Sequence, residues 1–314
     1  MSDHKEAKSF SRFGYIMVAA GAAIGLGNIW KFPYLAYGDG GGAFVLIYIV
    51  ICILLGHPIV QAEQAVGRRG RASAAASYGV IHPKWRFVGV INIVCTFLID
   101  IYYLVVSGWV LKYFVTYVVS GDFGKDKQAY FDNYISSTTQ PLIYSLVIIA
   151  IIVFFLFFGI TNIVEKASKV IMPMLAVLLL VCGIYALIVV PGAVDGLKYY
   201  FVPDFSKFGM QQFADACMQV CFSVGIGWGI FTTLGASMDK EANLKADAWW
   251  VDICDTFIAL LAGFVIIPTV VGTGSEMSSG PSLVFVAMTQ IFETLPGGRV
   301  IGIFFFASLI FAVI

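Results

Sequence analysis

The chain has 314 residues and no net charge, and with 60% hydrophobic but only 12% charged residues it carries too little polar surface to cover a water-soluble globule of its size. The balanced charge offers no basic face to nucleic acid, and hydropathy excludes a soluble enzyme. Its solvent is a lipid bilayer.

The first twelve residues are polar and charged, without the apolar core and small-residue cleavage site of a signal peptide, so they read as a cytoplasmic N-terminal segment before a retained span. Apolar windows of about 20 residues predict spans near 13–37, 43–64, 87–118, 141–160, 170–190, 211–236, 247–273 and from 298 onward. The first of these, Phe13 to Tyr37, is interrupted by Gly21-Ala22-Ala23-Ile24-Gly25-Leu26-Gly27-Asn28. In hydrocarbon every unpaired backbone group costs several kcal/mol, so such a break implies something polar in the gap. Close helix packing accounts for the glycines but not for Asn28 or for Lys31 one turn later.

Glu63 stands near the end of the second span, placed to accept from exposed amides of a broken helix or to snorkel to the interface. On the third span Asp100 and Tyr103 are one turn apart; Asp100 is read as facing a neighbouring helix. The sixth span is interrupted in turn by Phe222-Ser223-Val224-Gly225-Ile226-Gly227-Trp228-Gly229. Two glycine-interrupted spans in corresponding halves of a chain point to a transporter binding site. The seventh span places Asp252 and Asp255 on one helical face at membrane depth, where a carboxylate is a functional candidate. The eighth apolar run reaches Ile314 without a polar flank, which predicts a natural chain that continues.

With the N-terminus inside, twelve basic residues fall on inner segments (Lys5, Lys8, Arg12, Arg68, Arg69, Arg71, Lys84, Arg86, Lys166, Lys169, Lys240, Lys245) and seven on the outer side or outer span ends (Lys31, Lys112, Lys125, Lys127, Lys198, Lys207, Arg299). That asymmetry predicts this orientation. Short outer loops and compact termini suggest a bacterial inner membrane. The six cysteines all lie in apolar runs and read as packing residues, and His4, His57 and His82 are too scattered for a metal site or a catalytic triad.

A broken helix serves both signs of charge. Carbonyls at the end of its first half can hold a cation, while the freed amides of its second half can hold a carboxylate. A zwitterion together with a small alkali ion such as sodium fits that chemistry.

Several segments, in order along nearly the whole chain, resemble the neurotransmitter:sodium symporter family: Arg12-Phe13-Gly14, Gly25-Leu26-Gly27-Asn28-Ile29-Trp30-Lys31-Phe32-Pro33-Tyr34, Gly40-Gly41-Gly42-Ala43-Phe44, Glu63 with Gly67-Arg68, Ile101-Tyr102-Tyr103 and Gly225-Ile226-Gly227-Trp228-Gly229. The resemblance implies an all-α integral membrane protein of the leucine-transporter fold, from the bacterial amino-acid branch. It implies an inverted repeat, with the first five-helix repeat over 13–190 and a partial second repeat over 211–314. The first sodium site would use the Ala23 carbonyl, Asn28, Ser223, Asp255 and the substrate carboxylate. The second would use carbonyls of Gly21, Ile24 and Ala312, completed by hydroxyl residues beyond Ile314. Substrate would lie among Ala22, Ala23, Leu26, Gly27, Ile99, Tyr103, Phe222, Ser223, Gly225 and Trp228, with Phe222 as lid and Gln219 and Lys31 as outer gate.

Departures from the family pattern carry the specificity. Monoamine carriers have Asp where this chain has Gly25, which implies a substrate bringing its own carboxylate. Gly225 replaces a Ser of some relatives and is expected to widen the pocket, while Leu26, Ile99 and Phe222 make its far end apolar. Together these imply a large neutral or aromatic amino acid. Asp255 replaces an Asn and Ala259 a Ser of chloride-dependent members, so transport is expected without chloride. A proton-coupled carrier of the same fold and a non-transporting amino-acid receptor remain alternatives.

Overall fold

In a computed structural model the described residues are 10–157, 163–239, 241–277 and 280–313. Most of the polar N-terminal segment with Lys5 and Lys8, the last residues of the predicted fourth span (158–160), Lys240 and Ile314 lie outside them, as does the side chain of Lys207.

The described residues are helical with no strand; one isolated bridge pairs Gly41 with Pro203. The helices are α1 (Arg12–Ala23), α2 (Gly27–Gly38), α3 (Gly42–Gly70), α4 (Ala74–Ile81), α5 (Pro83–Val119), α6 (Lys127–Ser136), α7 (Thr139–Phe157), α8 (Glu165–Val189), α9 (Ala193–Phe201), α10 (Met210–Val224), α11 (Ile230–Gly235), α12 (Leu244–Thr273), α13 (Leu283–Thr294) and α14 (Gly298–Val313). Among the described residues α3, α5, α7, α8 and α12 are each long and apolar enough to cross a bilayer. The pair α1 and α2 passes as one span bent by 60° at its break. Six of the eight predicted spans therefore appear with boundaries shifted by a few residues; the sixth corresponds to the separate helices α10 and α11 and the eighth to α14, each shorter than a span among the described residues. The short helices α4, α6, α9 and α13 went unpredicted, being too brief for a membrane-length window.

Packing follows from which faces are apolar on both sides. The helices α1 and α12 are buried along most of their length, whereas α5 and α7 turn Phe97, Leu98, Ile101, Leu142, Leu146 and Phe154 outward. Exposed rows of large apolar side chains on membrane-length helices are the surface that lipid covers. One core, built from Ile16, Leu26, Trp30, Tyr113, Leu179, Val265, Phe285 and Phe306, joins α1, α2, α5, α8 and α12 to α13 and α14. A second, around Phe32, Phe44, Tyr48, Tyr200 and Val220, fastens α2, α3, α9 and α10. A third, with Tyr15, Val60, Phe231 and Val251, closes the opposite end of α1, α3, α11 and α12. The two breaks face each other inside the bundle, Asn28 donating to Ser223 and Gln219 to the Gly27 carbonyl.

Candidate functional site

The two breaks use glycine for different physical reasons. At the second, Gly225, Gly227 and Gly229 have φ of 74°, 82° and 75°, the left-handed region that only glycine enters without cost. At the first, no residue has positive φ; Ile24 simply leaves the helix at φ −69°, ψ 120°. Here glycine supplies room. A β-carbon on Gly25 would stand 2.7 Å from the Tyr103 hydroxyl, and one on Gly27 would stand 2.7 Å from the Phe222 ring.

Polar groups freed by the breaks are captured by side chains. The Asn28 Oδ1 accepts from the Gly25 amide at 3.0 Å, and its Nδ2 donates to Ser223 Oγ at 2.9 Å and to Asp255 Oδ1 at 2.8 Å. Because an amide N–H can only donate and an ionised carboxylate only accept, these partners fix the orientation of the Asn28 amide. Ser223 in turn donates to Asp255 Oδ2 at 2.9 Å. Asn28 and Asp255 are completely buried and Ser223 nearly so, which makes a closed triangle of oxygen-rich side chains joining α2, α10 and α12. On the other side of the second break Glu63 Oε1 accepts from the Gly227 amide at 2.8 Å. The Thr96 hydroxyl donates to the Trp228 carbonyl.

A cavity of about 210 Å³ lies beside this triangle. Of the expected substrate residues, Ala22, Ala23, Leu26, Gly27, Ile99, Tyr103, Phe222, Ser223 and Trp228 line it. So do the expected cation residues Gly21, Ile24, Asn28 and Ala312, whereas Asp255 sits behind Asn28 and Ser223. Gly225 is not in the wall: it lies behind the Trp228 ring, 3.5 Å from where its β-carbon would be. The expectation that it widens the pocket is corrected accordingly. The Tyr103 hydroxyl accepts from the Leu26 amide at 3.3 Å and donates to the Ala312 carbonyl at 3.4 Å, spanning the cavity between the first break and α14.

Phe222 forms a lid. Its ring meets Trp228 edge to face at 5.5 Å, and the Lys31 ammonium lies 4.5 Å above it. Gln219 donates to the Gly27 carbonyl at 3.1 Å. The two residues expected to form the outer gate thus contact the Phe222 ring and the first break.

Thr96, Asp100, Ile230 and Val313 also line the cavity and were not anticipated there. Asp100 faces the cavity instead of a neighbouring helix, because it shares the helical stripe of Thr96 and Tyr103. That i, i+4, i+7 spacing was the signal in the sequence. The six cysteines are all free thiols, in keeping with a packing role.

Comparison with known proteins agrees with this geometry. The Sodium:neurotransmitter symporter family matches residues 7–121 and 131–314. An uncharacterised sodium-dependent transporter of Haemophilus influenzae is 34% identical over 96% of this chain and 69% of its own length. The sodium-dependent transporter YhdH of Bacillus subtilis, also uncharacterised, is 34% identical over 99% of this chain and 70% of its own. The crystal structure of MhsT in complex with L-phenylalanine superposes with a TM-score of 0.88 at 34% identity, covering 98% of this chain and 71% of that one. With two broken helices facing each other across a cavity in an all-helical membrane bundle, this chain belongs to the sodium:neurotransmitter symporter family.

Proposed function

We propose that the protein carries a neutral amino acid with a large apolar or aromatic side chain into the cell together with sodium, by alternating access. The observation that carries this reading is the pairing of Gly25 with Tyr103. The hydroxyl fills the space in which a side-chain carboxylate at position 25 would lie and holds the Leu26 amide, so a carboxylate at the break is one that the substrate itself supplies. Leu26, Ile99, Phe222 and Trp228 offer the apolar remainder of the cavity. The likeness to MhsT, solved with L-phenylalanine, supports the same class.

In this reading the first sodium ion binds among the Ala23 carbonyl, Asn28, Ser223 and Asp255, whose hard oxygens suit it. A second binds among the carbonyls of Gly21, Ile24 and Ala312. The ψ of 120° at Ile24 turns its carbonyl out of the helical ladder, consistent with that role. Asp255 supplies a fixed negative charge, and Ala259 one turn on offers no hydroxyl, so chloride is not required. The first and sixth spans, one in each of the repeats over 13–190 and 211–314, rock as part of a bundle against a scaffold, Phe222 closing the centre with Lys31 and Gln219, and the basic ends near Arg68 and Lys245 face the cytoplasm of a bacterial inner membrane.

The energy suffices. Moving one charge through 100 mV yields about 2.3 kcal/mol and a tenfold gradient about 1.4, so two sodium ions support accumulation on the order of 10⁵-fold. The test is uptake of labelled amino acids into liposomes holding the full-length protein, with sodium replaced by choline. Uptake that persists in choline, or competition by glycine in preference to phenylalanine, tryptophan or leucine, refutes the reading.

A further inference from the structure

Just beyond the cation centre lies a second pair of ionisable side chains that substrate binding does not employ. The His57 Nδ1 is 2.9 Å from Asp252 Oδ2, and both residues are buried, at 7% and 5% exposure. Trp249 stacks on the imidazole with centroids 4.0 Å apart, fixing its plane. The other oxygen of Asp252 is buried with no hydrogen-bond partner. Asp252 is one helical turn from Asp255 on the same face of α12. An ionisable pair at membrane depth is expensive and marks an ion or proton pathway.

The pair lies toward the basic end of the molecule. Asp252 is eight residues from the start of α12, about 12 Å along the helix, against about 30 Å to its far end. Around His57, α12 presents Asp252, Trp249 and Lys245, and α10 carries Asp215, Cys217 and Cys221. The only titratable side chain of α4 is Tyr78, and α11 has none; on its own helix the nearest are Cys52 and Glu63, the latter bound to Gly227.

We infer that His57 and Asp252 form a proton-binding site, loaded from the basic end of the molecule, whose occupancy sets the sodium affinity of the neighbouring centre. With a neutral imidazole the pair carries the Asp252 charge, which reinforces Asp255 in attracting a cation. One proton on the pair brings its charge to zero and removes that help. Linkage is reciprocal, so sodium binding expels the proton and proton uptake favours sodium release. This rests on the sodium reading above.

The test uses the full-length protein, following sodium binding by intrinsic tryptophan fluorescence between pH 5.5 and 8.5, with thermal unfolding to verify that each variant is folded. Wild type is expected to lose about tenfold in sodium affinity on acidification. Asp252→Asn stays near the weak plateau at every pH, and His57→Gln, which leaves Asp252 to take the proton alone, moves the midpoint of the shift. Both variants retaining the wild-type pH shift overturns the inference. Absence of any sodium response in the wild type overturns the sodium reading and this coupling with it. Should Asp252→Asn not fold, NMR titration of His57 decides: a midpoint lowered by sodium supports the site, and an unmoved midpoint overturns it.

Discussion

The Tyr103 hydroxyl stands 2.7 Å from where a β-carbon on Gly25 would lie, so the two residues share one space and only one of them can fill it. Gly25→Ala overpacks this contact, a class of change costing about 1–3 kcal/mol. Substrate affinity is expected to fall about tenfold or more. Removing the hydroxyl makes room but forfeits its bonds to Leu26 and Ala312. The double variant Gly25→Ala/Tyr103→Phe should therefore bind better than the sum of its single losses allows, a coupling that a double-mutant cycle on substrate binding measures. Strict additivity would show that the clash is relieved by other movement.

Glu63 holds the second break by accepting from the Gly227 amide, while its other oxygen is buried without a partner. A hydrogen bond to a charged group contributes about 1.5–3 kcal/mol. Glu63→Ala removes it and leaves the amide unsatisfied, whereas Glu63→Gln keeps an acceptor without the charge. Thermal unfolding should rank wild type above Glu63→Gln and Glu63→Gln above Glu63→Ala. Equal melting temperatures for the two variants would mean that the amide finds water instead.

The prominent parts of this site were legible because polar residues in apolar runs have few alternative explanations. Asn28, Ser223 and Asp255 were singled out for that reason, and the structure brings them into one hydrogen-bonded triangle. Less visible were residues whose chemistry is ordinary and whose position alone matters. Ile230 joins the wall only because the second break turns the chain, and Val313 because α14 comes alongside Tyr103. Glycine was the most ambiguous letter: Gly25 provides clearance and Gly225 a backbone angle, and composition cannot distinguish the two. The short helices α4, α6, α9 and α13 were missed because each is shorter than a membrane-length window.

Lys31 lies over the Phe222 ring at 4.5 Å and holds that ring through a cation–π contact. At partly exposed sites such contacts contribute about 0.5–1 kcal/mol. Lys31→Ala is expected to speed release of bound substrate to the outer side about two- to fivefold, with Lys31→Arg near wild type because guanidinium also stacks on aromatic faces. Dissociation of labelled substrate after dilution measures this. An unchanged rate in Lys31→Ala would place the closing force elsewhere, with the Phe222–Trp228 contact the next candidate.

Gly227 separates backbone angle from clearance. Its φ is 82°, yet nothing lies within 4 Å of where its β-carbon would be, so a side chain there meets strain but no clash. The left-handed region costs an ordinary L-residue about 1–2 kcal/mol, and asparagine visits it more readily than most. Gly227→Asn should thus stay within a few degrees of the wild-type melting temperature and transport measurably. Gly227→Val, β-branched and of similar bulk, should unfold earlier and lose most uptake, because relaxing its φ pulls the amide away from Glu63. If Asn and Val behaved alike, sheer bulk would be the cause, and the open space beside Gly227 would have to be filled in the working protein.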